Sequence, residues 1–124
     1  WLAHLMFDLP VWQISATVRS GTGQWIAEAL ATLGLLLTIF GCAARAASAV
    51  PYAVGLYITA AYWFTASTSF ANPAVTVART LSDTFAGIAP SSAPGFIAAQ
   101  LAGLVLGVAL TSVFWPPAAS RTES

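Results

Sequence analysis

Three long apolar segments, residues 24–44, 51–69 and 94–114, constrain this chain most strongly. Glu28 is the only charged residue within them. A helix needs about 20 mainly apolar residues to cross the hydrocarbon core of a bilayer, and each segment is close to that length. The chain is 58% hydrophobic and only 6% charged, whereas soluble domains carry about 25% charged residues. The sequence therefore predicts an all-α membrane protein with three transmembrane helices.

Charge and residue usage exclude several functional classes. The net charge is zero, with four arginines and no lysine, so there is no basic stripe of the kind that binds nucleic acid. Cys42 is the single cysteine, which excludes an intrachain disulfide and a zinc pattern. His4 is the single histidine; with Asp8 alone it does not make a metal site, and no serine has the partners of a Ser-His-acid triad. We expect no enzyme activity and no cofactor.

The tripeptide Asn72-Pro73-Ala74 lies between the second and third apolar segments. Asn is a favoured N-cap residue, and Pro fits the first position of a helix. The motif therefore predicts a re-entrant segment over residues 70–82, with a half-helix from about Pro73 to Ser82. A helix that begins within the membrane directs its positive end and its free N–H groups into it. Such a device creates a polar site for solutes where lipid alone forbids one.

The four residues before the motif, Thr68, Ser69, Phe70 and Ala71, are predicted to be extended. Non-helical backbone at membrane depth is tolerated where it lines a cavity or is buried in protein, so we expect their carbonyls to line a pore. Their N–H groups need an acceptor. Glu28 is the candidate, because an acid within a span is costly and usually functional. The alternative is a Glu that simply favours the positive end of its own helix.

The remaining segments carry weaker signals. Residues 1–7 are apolar but too short to span, so they are predicted to end a preceding helix, and the chain is expected to be a fragment or the second half of a larger protein. Residues 8–23 form a predicted loop in which Trp12 is an interfacial anchor. Gly103 and Gly107 form a G-x-x-x-G pair that predicts close helix packing. The positive-inside rule leaves the orientation undecided, since Arg45 and Arg121 balance Arg19 and Arg79.

These features resemble the second half of the major intrinsic protein family, the aquaporins and glycerol facilitators. The resemblance covers nearly the whole chain and is carried by Glu28 with Thr32, by Asn72-Pro73-Ala74, and by Gln100 with Gly103. It implies the second of two inverted repeats, with residues 1–7 ending helix three, 24–44, 51–69 and 94–114 as helices four to six, and 70–82 as the second re-entrant loop. It further implies a multi-pass protein of the cell (inner) membrane, a missing N-terminal half with a first Asn-Pro-Ala motif, and homotetramers with one pore in each subunit.

The resemblance also assigns three of the four positions of the family's selectivity filter. Family members that pass water or glycerol usually have Arg directly after the motif, but this chain has Val75. The position twelve residues before Asn72 is Ala60, where water-selective members have His, and the third position is Ser69. This small, uncharged set predicts a wider constriction that favours larger neutral solutes. Arg79, one turn beyond Val75, either supplies a charge at the outer mouth or pairs with Asp83.

The predicted function is a passive channel for small neutral solutes. Asn72 offers an amide donor to a passing oxygen, so water and glycerol-like polyols are the expected solutes. Val75 and the run 79–87 are similar to a bacterial branch of the family associated with arsenical transport, which adds arsenous acid as a candidate. Two alternatives stay open: half of a secondary transporter, for which broken helices also build ion sites, and a truncated remnant without transport.

Overall fold

The computed structural model describes residues 1–116, and within them the chain is all-helical. The helices are α1 (Leu2–Met6), α2 (Thr22–Arg45), α3 (Val50–Phe64), α4 (Pro73–Arg79) and α5 (Ala93–Phe114). A 3₁₀ turn, Ala47–Ala49, joins α2 to α3. Arg121, which was counted for the membrane orientation, lies outside the described residues.

Two of these helices, α2 with 24 residues and α5 with 22, are long and apolar enough to cross a membrane. They start and end within two residues of the predicted segments 24–44 and 94–114. Their mutual contact is the most extensive between any two helices of the described chain, and α3 and α4 pack on α2 and α5 respectively. The pair α2 and α5 is therefore the scaffold on which the shorter elements are placed.

Glycines on α5 allow the close approach of these two long helices. A Cβ atom at Gly103 would collide with the carbonyl oxygen of Ala29, and one at Gly107 would lie 2.6 Å from Leu36 Cδ1. The G-x-x-x-G pair thus faces α2, in the manner by which small residues let helix backbones meet.

The helix α3 is shorter than the predicted segment 51–69. It has 15 residues and ends at Phe64, so it is shorter than the roughly 20 residues of a full span. Thr65 leaves the helix with an extended backbone, and its hydroxyl donates to the carbonyl of Ala61 at 2.6 Å. The last part of the predicted segment, up to Ser69, is therefore non-helical.

The half-helix α4 begins at Pro73 as expected but ends at Arg79 instead of Ser82. The N–H groups of Thr80 and Leu81 donate three residues back, to Val77 and Ala78. Such tight bonds are typical of the last turn of a helix and close it here.

The loop between α1 and α2 lies along the loop that follows α4. We call residues 13–19 the strap. The N–H of Ser15 donates to the carbonyl of Thr80 at 2.8 Å, and the carbonyl of Thr17 accepts from Ala89 at 2.7 Å. Gly87 makes this approach possible, because a Cβ there would collide with Ser15 Oγ and with the carbonyl of Ser82.

Candidate functional site

Asn72 caps the half-helix with its side chain. Its Oδ1 accepts from the N–H groups of Ala74 at 2.8 Å and Val75 at 3.4 Å, and its backbone is extended, with φ −160°. This is the usual geometry of an N-cap. The oxygen is thus occupied by the helix, while the Nδ2 donors remain on an exposed side chain. The arrangement presents an amide donor at the entrance to α4.

The sequence predicted that the segment before Asn72 is extended, but its backbone is different. Thr68, Ser69 and Ala71 have positive φ angles of 62°, 48° and 50°. Non-glycine residues in this left-handed region cost about 1–3 kcal/mol each and persist where the surroundings hold them. The conformation turns the N–H groups of Phe70 and Ala71 toward a single acceptor.

That acceptor is Glu28, which is fully buried on α2. Oε2 accepts from the N–H of Phe70 at 3.3 Å, and Oε1 accepts from the N–H of Ala71. Oε1 also accepts from Nε2 of Gln100 at 3.1 Å. Both carboxylate oxygens are therefore engaged, and the N–H groups of Phe70 and Ala71 are satisfied inside the protein.

A short polar network continues from Glu28 to the half-helix. Gln100 donates to Thr76 Oγ1 at 2.7 Å, and the Thr76 hydroxyl lies 3.1 Å from the carbonyl of Asn72. Gln100 and Thr76 are both buried. The network connects α2, α5 and α4, so the position of Asn72 depends on all three helices.

The three filter positions predicted from the sequence have different surroundings. Ser69 is buried, and its Oγ has no hydrogen-bond partner within residues 1–116. Val75 packs against the apolar cluster of Phe70, Ile88 and Phe96. Ala60 is exposed on α3, and among the described helices α3 packs on α2 and on the 3₁₀ turn but not on α4. The described chain therefore keeps Ala60 apart from the half-helix.

Arg79 lies against the ring of Phe70 at the end of α4. Its guanidinium carbon is 4.3 Å from the ring centre, a cation–π distance. Its Nη1 is buried and has no hydrogen-bond partner among the described residues. Asp83, the alternative partner suggested by the sequence, accepts instead from the N–H of Ala16 at 2.9 Å.

Arg19, at the end of the strap, enters the same region. Its Nε donates to the carbonyl of Gly87 and its Nη2 to the carbonyl of Phe85, both at 2.7 Å. Its Nη1 lies 3.5 Å from the carbonyl of Ser67, and its guanidinium is 5.3 Å from the ring centre of Phe70. Burial, and secondly the nearby charge of Arg79, lower the pKa of Arg19 from its ordinary value, yet an arginine stays protonated in proteins.

A curated relative matches most of this chain. Aquaglyceroporin AqpS from Rhizobium meliloti (strain 1021) is 55% identical over 117 residues, which are 94% of this chain and 50% of the relative. The chain resembles the C-terminal half of an aquaporin-family member. It spans about half the length of that relative. No family model and no solved structure matches the chain. The helical structure with two membrane-length helices agrees with an aquaporin-like membrane protein.

The sequence of this aquaporin-like half did not indicate the positions of Arg19 and Thr76. Arg19 entered the sequence argument only as a loop charge, because loop arginines are ordinarily solvated. Its partners are 48 to 68 residues away in the chain, which no local pattern reveals. Within the described residues no group of three His, Cys, Asp or Glu side chains could hold a metal ion.

Proposed function

We propose that this chain forms one half of a passive channel for small neutral solutes. The observation that carries the proposal is the segment of residues 67–71 before the pore motif, which we call the braced segment. In it, Glu28 accepts from Phe70 and Ala71, and the next residue, Asn72, presents its amide. A polar, non-helical segment between apolar helices is tolerated at membrane depth where it is buried in protein or lines a cavity. The name of the Rhizobium meliloti relative, an aquaglyceroporin, supports a channel and not an enzyme.

In this proposal, Asn72, Pro73 and Ala74 form the pore motif. The oxygen of a passing solute exchanges part of its hydration for the Nδ2 donors of Asn72. The carbonyls of residues 68–71 act as acceptors for the solute's hydroxyl hydrogens. Cations gain nothing at the amide donors and meet the positive end of α4, so a neutral solute passes more easily.

The solutes follow from the proposed constriction of Ala60, Ser69 and Val75, with Arg79 at the outer mouth. None of the three constriction side chains is charged, and all are small. A wide, weakly polar constriction favours glycerol-like polyols over strict water selection. Arsenous acid is neutral and polyol-like, and we include it as a candidate solute.

We propose that the pore is completed by an N-terminal half with its own Asn-Pro-Ala motif. The match to only 50% of the relative supports a second half, and its motif is part of the proposal. In that assembly, the segments 24–44, 51–69 (helical as far as Phe64) and 94–114 span the membrane. Residues 70–82, with their half-helix over Pro73–Arg79, form the re-entrant segment of a multi-pass inner-membrane protein, with homotetramers as the expected assembly. The transporter alternative needs an acid free to bind a coupling ion, whereas both oxygens of Glu28 are engaged.

Flux measurements test the proposal. The chain is expressed behind the N-terminal half of the Rhizobium meliloti relative, and this hybrid is reconstituted in proteoliposomes. Osmotic shrinkage and swelling, followed by light scattering, then give water and glycerol permeabilities. We expect both to exceed those of empty vesicles, without dependence on an ion gradient. Permeabilities equal to those of empty vesicles would refute the channel.

Arsenous acid is tested in the same vesicles by uptake at neutral pH. We expect uptake that is faster than in empty vesicles and that is slowed by excess glycerol, since both solutes would share the pore. Water flux without arsenous acid uptake would remove arsenous acid from the proposed solutes and leave the channel proposal standing.

A further inference from the structure

Arg19 lies where three loops of the described chain meet. Its guanidinium bonds two carbonyls of the loop after α4, those of Phe85 and Gly87. It also reaches the carbonyl of Ser67, in the segment that precedes the pore motif. Only 7% of the Arg19 surface is exposed, so the side chain is an internal connection between these loops.

The backbone of Arg19 is held in place independently of its side chain. Its N–H donates to Ser92 Oγ at 3.2 Å. Earlier in the strap, Ser15 pairs with Thr80, and Ala16 donates to Asp83 Oδ1. Because the backbone of Arg19 is already fixed, less conformational entropy is lost when its side chain makes the three carbonyl contacts. The position is pre-organised for these contacts.

We infer that Arg19 is a positioning residue, which holds the segment before the pore motif from its carbonyl side as Glu28 holds it from its N–H side. Both act around Phe70: Glu28 accepts its N–H, and Arg19 lies over its ring. Phe70 is directly followed by Ala71 and directly preceded by Ser69, which is a proposed constriction residue. Arg19 thereby sets the width of the constriction. The inference rests on the proposed channel function.

Arginine suits this position for a geometric reason. Its planar fork directs separate N–H groups at separate carbonyls, whereas the ammonium of lysine is a single point charge. Arg79, from the last turn of α4, also lies over the ring of Phe70. The donor to the carbonyls of Ser67, Phe85 and Gly87 is nevertheless Arg19. Removing the Arg19 guanidinium therefore leaves these carbonyls without that donor.

The experiment compares three variants of the hybrid in proteoliposomes. Arg19→Met removes the charge and the donors, Arg19→Lys keeps the charge but not the fork, and Arg45→Met is the matched control, since Arg45 is exposed at the end of α2. The measured quantity is the ratio of glycerol to water permeability after the empty-vesicle values are subtracted, which does not depend on how much protein is folded. We expect the ratio to rise by roughly tenfold, the factor equivalent to 1.4 kcal/mol, in both Arg19 variants and to stay unchanged in the control.

The outcomes separate this inference from the function on which it rests. If the unmodified hybrid conducts neither solute, the channel proposal is wrong and this inference fails with it. If the hybrid conducts but both Arg19 variants keep its permeability ratio, the channel stands and the role of Arg19 is refuted. If Arg19→Met does not fold, Arg19→Lys decides. A raised permeability ratio in Arg19→Lys supports the positioning role of the guanidinium, and an unchanged ratio overturns that role.

Discussion

The scaffold of α2 and α5 and the braced segment before α4 are stabilised in opposite ways. The scaffold is apolar and depends on the shapes of small side chains, with Gly103 directly against Ala29. The braced segment depends on a buried acid, Glu28, that satisfies N–H groups of a left-handed backbone. The membrane-length helices thus place the site, whereas a few charged and polar contacts give it its shape.

Of the substitutions considered, Glu28→Gln is expected to destabilise the protein most, through the braced segment. A glutamine retains one acceptor oxygen but turns an NH₂ group toward a backbone donor, so one buried N–H loses its partner. We expect a loss of about 3 kcal/mol in stability, the upper range for a buried unsatisfied group. Thermal unfolding in detergent, with elution volume as a second readout, measures it. Asp83→Asn is the control, because its exposed carboxylate accepts one N–H through Oδ1, which asparagine can also do; equal losses in the two variants would contradict the bracing role.

Gly103→Val is expected to disturb the packing of α5 on α2. The added side chain would collide with the Ala29 carbonyl and approach Thr32, and helix backbones cannot yield easily. We expect a loss of about 2 kcal/mol, typical of overpacking, and lower flux of water and glycerol alike. Gly55→Ala is the matched control, since nothing lies within 4 Å of a Cβ at Gly55. An altered glycerol-to-water ratio in Gly103→Val would show that scaffold and site are not separable.

Asn72 has two roles within the site, as a helix cap and as a hydrogen-bond donor, and two substitutions separate them. Asn72→Ala removes both the cap and the donor, and we expect a loss of about 1 kcal/mol, typical for an N-cap. Asn72→Asp keeps an oxygen for Ala74 and Val75 but removes the Nδ2 donors. We expect its thermal stability to match that of the unmodified hybrid while solute permeability falls. Unchanged permeability in Asn72→Asp would mean that the amide does not meet the solute.

The same contrast explains what the sequence could predict. Hydropathy and helix punctuation placed α2, α5 and the start of α4 closely, because length and capping are local properties. The end of α3 at Phe64 was missed, since Thr65 and its serine and threonine neighbours are tolerated in a membrane helix and mark no boundary by composition. No glycine marks the left-handed angles at Thr68, Ser69 and Ala71. The acceptor that the segment meets, Glu28, is 42 to 43 residues away in the chain. Arg19 was missed for the same reason, because its partners come from other loops.

The long sequence separations around Glu28 bear on the order in which this chain folds. Glu28 meets Phe70 across 42 residues and Gln100 across 72. A helix of seven residues such as α4 does not persist alone, because isolated helices below about 12–15 residues are marginal. We therefore expect the half-helix to become stable only once α2 and α5 have met. Substitutions that slow the joining of these two helices should delay the appearance of the site during biogenesis, even when they leave the finished site unchanged.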